Sequence, residues 1–266
     1  MSSILRFKGY NNTPVLFNND SVFEFEQVLL HPSTSPLNNT QFQNTRLGKL
    51  VEEFVFFQLK HDNAVQWILE NLQIQKGQRT IGELDAVYAS NGTLYHLEIV
   101  YKFYLYDTLH EYSDPLAYWI GPNRKDTLLY KLDKLRAKQF PLLYRKETSE
   151  HLSQLNVDIK NAKQRVCFKA QLFLPYSNDN FNIEPLNQEC ISGFYLSFNE
   201  ISTLVDLEFH IPTKLDWLIN PHNNVTWLPY TEAIVIIEEH IKSQRSPLLW
   251  LKYNNTKLKK CFITWW

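Results

Sequence analysis

The spacing of apolar residues predicts an amphipathic helix early in the chain. From Arg46 to about Lys60, apolar side chains recur at three- and four-residue intervals and form one stripe: Leu47, Leu50, Val51, Phe54 and Val55. This period is that of an α-helix with one buried face. Glu52 and Glu53 lie at opposite edges of the stripe, so the pattern alone does not choose between them. A second, shorter amphipathic segment covers Ala64–Leu72.

The pattern changes at Ile81 and predicts a β-hairpin over residues 81–102. Residues 81–88 alternate in character, residues 93–101 form a second run, and Asn91-Gly92 lies between the two runs. An Asn-Gly pair favours a two-residue type I′ turn, because both central residues of that turn need positive φ. With this turn, Ser90 pairs with Thr93.

This register places two carboxylates directly opposite each other on the hairpin. Asp85 faces Glu98, Glu83 shares their face, and Lys102 joins it if the strand continues. Directly opposed like charges destabilise a sheet, so the pair favours a bound divalent cation such as Mg²⁺, which carboxylates commonly hold. The alternative is a solvated hairpin face on which Lys102 neutralises the acids.

The remaining pattern predicts a third helix and further buried segments. Leu128, Leu132 and Leu135 lie on one side of a helix over residues 124–139, which Pro141 is expected to end. This helix is rich in Lys and Arg, and its basic side chains face either a phosphate backbone or solvent. Strands or buried segments are expected at residues 166–174, 193–198 and 234–237.

Composition removes several classes of function. The 266-residue chain has a formal net charge of −1, which does not indicate a protein that coats nucleic acid nonspecifically. No glycine-rich phosphate loop is present, which argues against the common nucleotide-binding folds. Three widely spaced cysteines suggest neither a zinc ribbon nor a disulfide scaffold. Without a long apolar run, we expect a cytoplasmic protein with no membrane association.

The hairpin carries a motif that resembles a known signature. Gly82-Glu83-Leu84-Asp85, a turn, then Leu97-Glu98 and a lysine are similar to the GE(L/I)D…(E/Q)xK pattern of the PD-(D/E)XK nuclease superfamily. The run from His96 to Leu105 most resembles one bacterial branch, known as a domain of unknown function with the number 1853. Similarity to this branch extends over most of the chain: Leu47-Gly48 with Glu52, Gly121-Pro122-Asn123, Asp126, Leu128, Lys131, Gln139, Phe173-Leu174-Pro175, Lys214 and Trp217.

The resemblance implies a fold and an activity. The fold would be α/β, with a PD-(D/E)XK (restriction-endonuclease-like) core, a mixed β-sheet flanked by helices, and a C-terminal extension. Asp85 and Glu98 would bind Mg²⁺ or Mn²⁺, and Glu52 would join the site. Lys102 would act on the water or the transition state of phosphodiester hydrolysis, with DNA or RNA as substrate.

One departure from the signature bears on activity. The superfamily lysine follows the second acid by two residues, where this chain has Val100; Lys102 lies about 7 Å further along the strand. The alternative function is therefore a catalytically inactive scaffold that binds nucleic acid or protein. Lys131 and Gln139 are the residues expected to reach substrate. We expect a nuclease-like core over residues 1–150 and an extension over 151–266, or one continuous domain.

Overall fold

The fold is a mixed α/β arrangement with a large sheet flanked by helices, as the sequence predicts at this coarse level. The computed structural model describes residues 2–17, 25–30, 42–155, 157–176 and 181–266. Within those residues the sheet has ten strands. They are β1 Glu26–Gln27, β2 Val65–Lys76, β3 Arg79–Ser90, β4 Thr93–Tyr106, β5 Trp119–Ile120, β6 Lys163–Pro175, β7 Ile191–Ser197, β8 Glu208–His210, β9 Leu248–Lys252 and β10 Leu258–Thr264.

The strand order mixes neighbours in sequence with crossovers. The main path is β2-β3-β4-β6-β7-β10-β9-β8, with β1 paired to β6 and β5 paired to β4. The β1–β6, β6–β7 and β7–β10 pairs are parallel, whereas β2–β3, β3–β4, β4–β5, β8–β9 and β9–β10 are antiparallel. Parallel pairs need long connections, and helical segments supply part of them.

The helices vary in length and type. The α-helices are α1 Ser2–Asn12, α2 Leu47–Lys60, α3 Leu128–Lys134, α4 Phe140–Leu142, α5 Lys146–Gln154 and α6 Tyr230–Lys242. A π-helical turn, Leu135–Gln139, joins α3 to α4. Short 3₁₀ segments occur at Pro115–Tyr118, Gln188–Cys190, Phe198–Leu204 and Lys214–Leu218.

Contacts between Cα atoms divide the chain into two compact units. Unit 1 comprises Met1–Pro14, Lys102–Leu129 and Ala170–Trp266, and unit 2 comprises Val15–Tyr101 and Tyr130–Lys169. Strands β4 and β6 contribute residues to both units. Each unit contains residues from either side of position 150, and the predicted sequential division there remains a prediction.

Unit 2 packs its helices on the hairpin strands. A buried cluster joins Ile74 of β2, Leu84 and Val87 of β3, Leu142 and Leu143 at α4, and Leu152 of α5. Gly82 of β3 lies close to the segment around α4. A Cβ atom there would lie 2.5 Å from Leu142 Cδ2. The missing side chain therefore lets the segment that follows the π-helical turn pack directly on the strand that carries Glu83 and Asp85.

Unit 1 has its own core, built largely from its short strands and α6. The buried residues of this cluster are Phe194, Leu196, Ile201, Leu204, Phe209, Ala233, Ile237, Leu249, Leu251, Cys261 and Ile263. Alternate residues of β9 and β10 enter the cluster, as the period of two in a strand requires.

The predicted hairpin is confirmed in its turn and its register. Ser90 pairs with Thr93, and the ladder continues to Ala86 opposite Leu97. Asn91 and Gly92 have φ values of 49° and 74°, which a type I′ turn requires. The helix predicted from Arg46 to Lys60 is also confirmed, as α2.

Three predicted segments differ from the structure. The amphipathic segment Ala64–Leu72 lies in strand β2 from Val65 onward, because pairing with β3 decides its conformation. The helix predicted over 124–139 begins only at Leu128, since Arg124 has a φ of 55°, and it continues past Pro141. Pro141 is accommodated because it lies in the first turn after the π-helical turn, where a missing N–H costs little.

The third difference is the apolar run at residues 234–237, which lies inside helix α6. Such a short run does not by itself distinguish strand from helix. Only Ile237 of the run is buried in the core, together with Ala233 one turn earlier, while Val235 and Ile236 are exposed. The helical period is therefore visible only once burial is known.

Candidate metal centre in unit 2

Helix α2 supplies the first carboxylate of the site. Its apolar stripe turns Glu52 inward, and only 9% of Glu52 is exposed. Glu53 points elsewhere: its carboxylate accepts hydrogen bonds from the Asn44 side-chain amide, at 2.6 Å, and from the Gln43 backbone, at 3.2 Å. The structure thus distinguishes two neighbouring acids that the helical pattern leaves equivalent.

Strand β3 supplies the other two carboxylates. Glu83 and Asp85 are two residues apart and share one face of the strand, as the alternation predicts. Ligand oxygens of Glu52, Glu83 and Asp85 all lie within 4.8 Å of one another. Three carboxylates this close match the oxygen donors that hard divalent cations prefer.

Lys49 lies beside this group of acids. Its ammonium donates to Glu52 Oε2 at 2.6 Å and to Asn71 Oδ1 at 2.9 Å, and it also pairs with Glu83. Desolvation by burial lowers the pKa of Lys49, but the hydrogen bonds to Glu52 and Glu83 outweigh it and raise the pKa above its ordinary value. Lys49 therefore remains protonated and neutralises part of the acidic charge.

Asp85 is held where the hairpin ladder ends. Its Oδ2 accepts a hydrogen bond of 2.8 Å from the backbone N–H of Ile99. In an uninterrupted ladder this N–H would bond to a backbone carbonyl of β3. The side chain takes that place, which anchors the carboxylate one residue beyond the last ladder pair, Ala86–Leu97.

Glu98 is fully buried, and two neutral side chains hold its carboxylate. Oε1 lies 3.0 Å from His96 Nε2, and Oε2 accepts from the side-chain amide of Gln139. Gln164 Nε2 donates to the Phe140 carbonyl at 2.7 Å and lies 3.1 Å from His96 Nδ1. His96 Nδ1 therefore accepts, and Nε2–H donates to Glu98.

The electrostatics of these groups indicate a shortage of positive charge. Burial raises the pKa of Asp85 to about 7, and the neighbouring Glu98 adds to the shift. Burial also raises the pKa of Glu98 to about 8, although Lys131 and Lys134 oppose it, and that of Glu52 to about 7. Burial lowers the pKa of His96 to about 4, so this ring is neutral. A cation bound here would restore the ionised carboxylates.

The two residues expected to reach substrate lie next to Glu98. Gln139 closes the π-helical turn and contacts Glu98, and Lys131 Nζ donates to Gln139 Oε1 at 2.8 Å. The charge of Lys131 also acts on Asp85 and Glu98. Their proximity is a structural finding, whereas their role in binding substrate stays a prediction.

Lys102 belongs to unit 1 and has a different partner. Its ammonium forms an ion pair with the carboxylate of Asp126. Val100, at the position of the superfamily lysine, is buried. The catalytic role predicted for Lys102 is not tested by this contact.

Four side chains of this arrangement were not predicted as site residues from the sequence. Lys49 precedes Glu52 by three residues, a helical ion-pair spacing that could have identified it. Glu83 is predicted on the same face as Asp85 but not as a site residue, and the structure brings its carboxylate next to those of Glu52 and Asp85. The sequence gives no role to His96, and its contact with Glu98 follows from alternation on one strand. Gln164 gave no signal, because its approach depends on tertiary packing.

Comparison with known proteins places this chain within a family. In the part of the chain that the structure describes, no helix is long and apolar enough to cross a membrane. No curated protein and no solved structure matches the chain. One family model, described as "Domain of unknown function (DUF1853)", matches residues 25–261. The acidic group, Glu98 and its partners, and Lys102 all lie inside that match, and the chain belongs to the DUF1853 family.

Proposed function

We propose that this protein is a metal-dependent nuclease with a PD-(D/E)XK core, and that Glu52, Glu83 and Asp85 hold the cation. The observation that carries the proposal is the convergence of their three carboxylates within 4.8 Å. The order of the parts supports it, since an acid-bearing helix precedes an acid-bearing hairpin and a basic helix follows. The order of the helix acid and the hairpin acids is the one that the resemblance implies.

The chemistry of the donors fits Mg²⁺ or Mn²⁺. All three side chains offer hard oxygen ligands, which these ions prefer over nitrogen or sulfur. A bound divalent ion would lower the pKa of a water molecule and neutralise phosphate oxygens. Burial raises the pKa values of Glu52 and Asp85 although Lys49 opposes both shifts, so a bound cation would further stabilise the ionised carboxylates.

The surrounding side chains have distinct parts in this proposal. Lys49, kept protonated by Glu52 and Glu83, can stabilise negative charge that develops on the phosphoryl oxygens. Glu98 fixes the side chain of Gln139, which in turn accepts a hydrogen bond from Lys131. The ammonium group of Lys131 is thereby held next to the acids. The resemblance implies an alternative ligand set for the same site, in which Glu98 binds the cation directly together with Asp85.

Nucleic acid is the proposed substrate because of the helix that follows the hairpin. Lys134, Arg136 and Lys138 are exposed on α3 and the π-helical turn, and Lys131 is partly exposed. A row of exposed cations beside a metal-binding group suits a polyanion, since phosphate contacts supply most nonspecific affinity.

The proposal is tested by cleavage of labelled single- and double-stranded DNA and RNA with Mg²⁺ or Mn²⁺. We expect cleavage that requires the metal and that Asp85→Asn and Glu52→Gln abolish. Glu53→Gln is the matched control, because Glu53 neighbours Glu52 in sequence but contacts Asn44 instead. Lys102→Ala tests the predicted role of that lysine. Absence of cleavage by the folded wild type on every substrate would refute the proposal.

A noncatalytic scaffold is the second candidate, and one observation favours it. Lys49 already bridges Glu52 and Glu83, so the acids are partly neutralised without a metal. In that case the folded protein would bind nucleic acid or a protein partner without cutting it. Retention of binding in Asp85→Asn, with no cleavage by the wild type, would support this candidate.

A further inference from the structure

Unit 1 contains a cavity whose lining includes none of the proposed metal ligands. Its volume is about 540 Å³, within the range of pockets that enclose small organic ligands. The 3₁₀ segment Lys214–Leu218, the end of helix α6 and the residues around β8 contribute to its lining. Everything that lines it belongs to unit 1.

The wall of this cavity is mainly apolar and partly rigid. Ile211, Pro212, Leu228 and Pro247 contribute aliphatic surface. The Trp217 ring is fixed by edge-to-face contacts with Phe103 and Phe262, at centroid distances of 5.3 and 5.1 Å. Such a wall suits the apolar body of a ligand and does not need to rearrange to receive it.

Two cations line the same cavity, Lys214 and Arg245. None of the described residues along its wall carries a carboxylate. Burial lowers the pKa of Lys214, and the carboxylate of Asp126, which is itself paired with Lys102, opposes this shift. Within the described ranges, neither Lys214 nor Arg245 has a carboxylate at ion-pair distance.

Two histidines, His210 and His240, also line the cavity. His210 Nδ1 lies 3.1 Å from the Thr226 carbonyl, so Nδ1–H donates to this oxygen. The other ring nitrogen, Nε2, does not take part in this hydrogen bond. Burial, together with the charge of Arg245, lowers the pKa of His240, and burial lowers that of His210. Both rings are therefore neutral at physiological pH, and the positive charge of the cavity comes from Lys214 and Arg245.

From this combination we infer that the cavity binds a small organic anion, with a carboxylate or phosphate monoester held by Lys214 and Arg245 and an apolar body against Trp217 and the aliphatic wall. An anion would supply the counter-charge that the wall lacks, and charge-assisted hydrogen bonds to both oxyanion types are strong. This site is independent of the proposed nuclease activity.

Isothermal titration of the full chain tests the inference, with a chelator present so that the acidic group of unit 2 is not engaged. One arm uses adenosine 5′-monophosphate with adenosine as its neutral counterpart, and the other uses octanoate with octanol. Inorganic phosphate alone tests whether the apolar body matters. We expect saturable binding of one anion and much weaker binding of its neutral counterpart and of inorganic phosphate.

Variants locate the binding. Lys214→Ala and Arg245→Ala should each weaken it roughly tenfold or more, as loss of a charge-assisted contact does. Lys242→Ala, which removes a cation paired with Glu238 on α6, is the matched control and should leave affinity unchanged. Asp85→Asn should also bind normally, which separates this result from any failure of the nuclease proposal. Absence of binding by both anions, or binding that survives Lys214→Ala and Arg245→Ala, would overturn the inference.

Discussion

The side-chain amide of Gln139 donates to the fully buried carboxylate of Glu98, and so ties a π-helical turn to strand β4. Turns of this kind are uncommon and often occur at functional sites. Here the extra residue in the turn sets the position of Gln139, which also accepts from Lys131. One residue thus links a buried acid to a partly exposed cation.

Removing this link should destabilise unit 2. Gln139→Ala leaves one oxygen of buried Glu98 without a donor, and we expect the free energy of unfolding to fall by about 1–3 kcal/mol. Urea unfolding measures the change. Lys138→Ala, at an exposed neighbouring position, should stay within about 0.5 kcal/mol of wild type. A Gln139→Ala variant as stable as wild type would show that the contact contributes nothing.

Asp85 should destabilise the folded state above its raised pKa. Burial and Glu98 raise that pKa from 3.8 to about 7, so the folded protein holds a proton that the unfolded chain has lost. The free energy of unfolding therefore falls as pH rises from about 4 to about 7, and the full loss is present above about pH 7.

The corresponding variant is Asp85→Asn, whose side-chain oxygen can still accept from Ile99. Without metal, it should match wild type near pH 4 and be more stable at pH 8, by about 1.4 kcal/mol for each pKa unit of the shift. Asp133→Asn, on an exposed position of α3, should show no such gain. A variant that is less stable than wild type at pH 8 would contradict the account of this carboxylate.

Lys260 in unit 1 predicts the opposite pH dependence. This lysine is buried in β10, and its amine donates to Gln171 Oε1 at 2.8 Å and to the Trp217 carbonyl at 2.7 Å. Burial lowers its pKa from 10.5 to about 7. Between these values the unfolded chain binds a proton that the folded protein does not, so the free energy of unfolding should increase with pH, by up to about 1.4 kcal/mol per unit.

Urea unfolding at pH 7, 8 and 9 measures this slope. Lys260→Met should abolish this slope, because the titrating amine is gone. The variant can differ from wild type in absolute stability, since two carbonyl oxygens lose their donor. Lys259→Met, at the exposed neighbouring position, should retain the wild-type slope. Equal slopes in wild type and Lys260→Met would assign the pH dependence to other groups.

Local chemistry explains which features could be predicted from the sequence. The Asn91-Gly92 turn determines the hairpin register, and the register places Glu83 and Asp85 on one face. The stripe on α2 is long enough to define a helix without its neighbours. These features depend on residues that are close in sequence, and each was predicted with its residues.

Features that depend on tertiary packing could not be predicted from the pattern of residues alone. In the structure, the neighbours of each carboxylate show that Glu52 and not Glu53 lies in the acidic group. From the sequence, only the family resemblance favoured Glu52. The π-helical turn has no sequence pattern of its own, and without it the helix was expected to end before Pro141. The pairing of Lys102 with Asp126 could not be derived from strand alternation, which fixes a face but not a partner.

The central claim is that Glu52, Glu83 and Asp85 hold a divalent cation, and calorimetric titration with Mn²⁺ tests it most directly. Wild type and Glu53→Gln should bind Mn²⁺ saturably, whereas Glu52→Gln and Asp85→Asn should lose most of the affinity, because each removes one of three converging ligands. Near-ultraviolet circular dichroism establishes that the variants are folded. Lack of Mn²⁺ binding by wild type, or undiminished binding by Glu52→Gln and Asp85→Asn, would contradict the account.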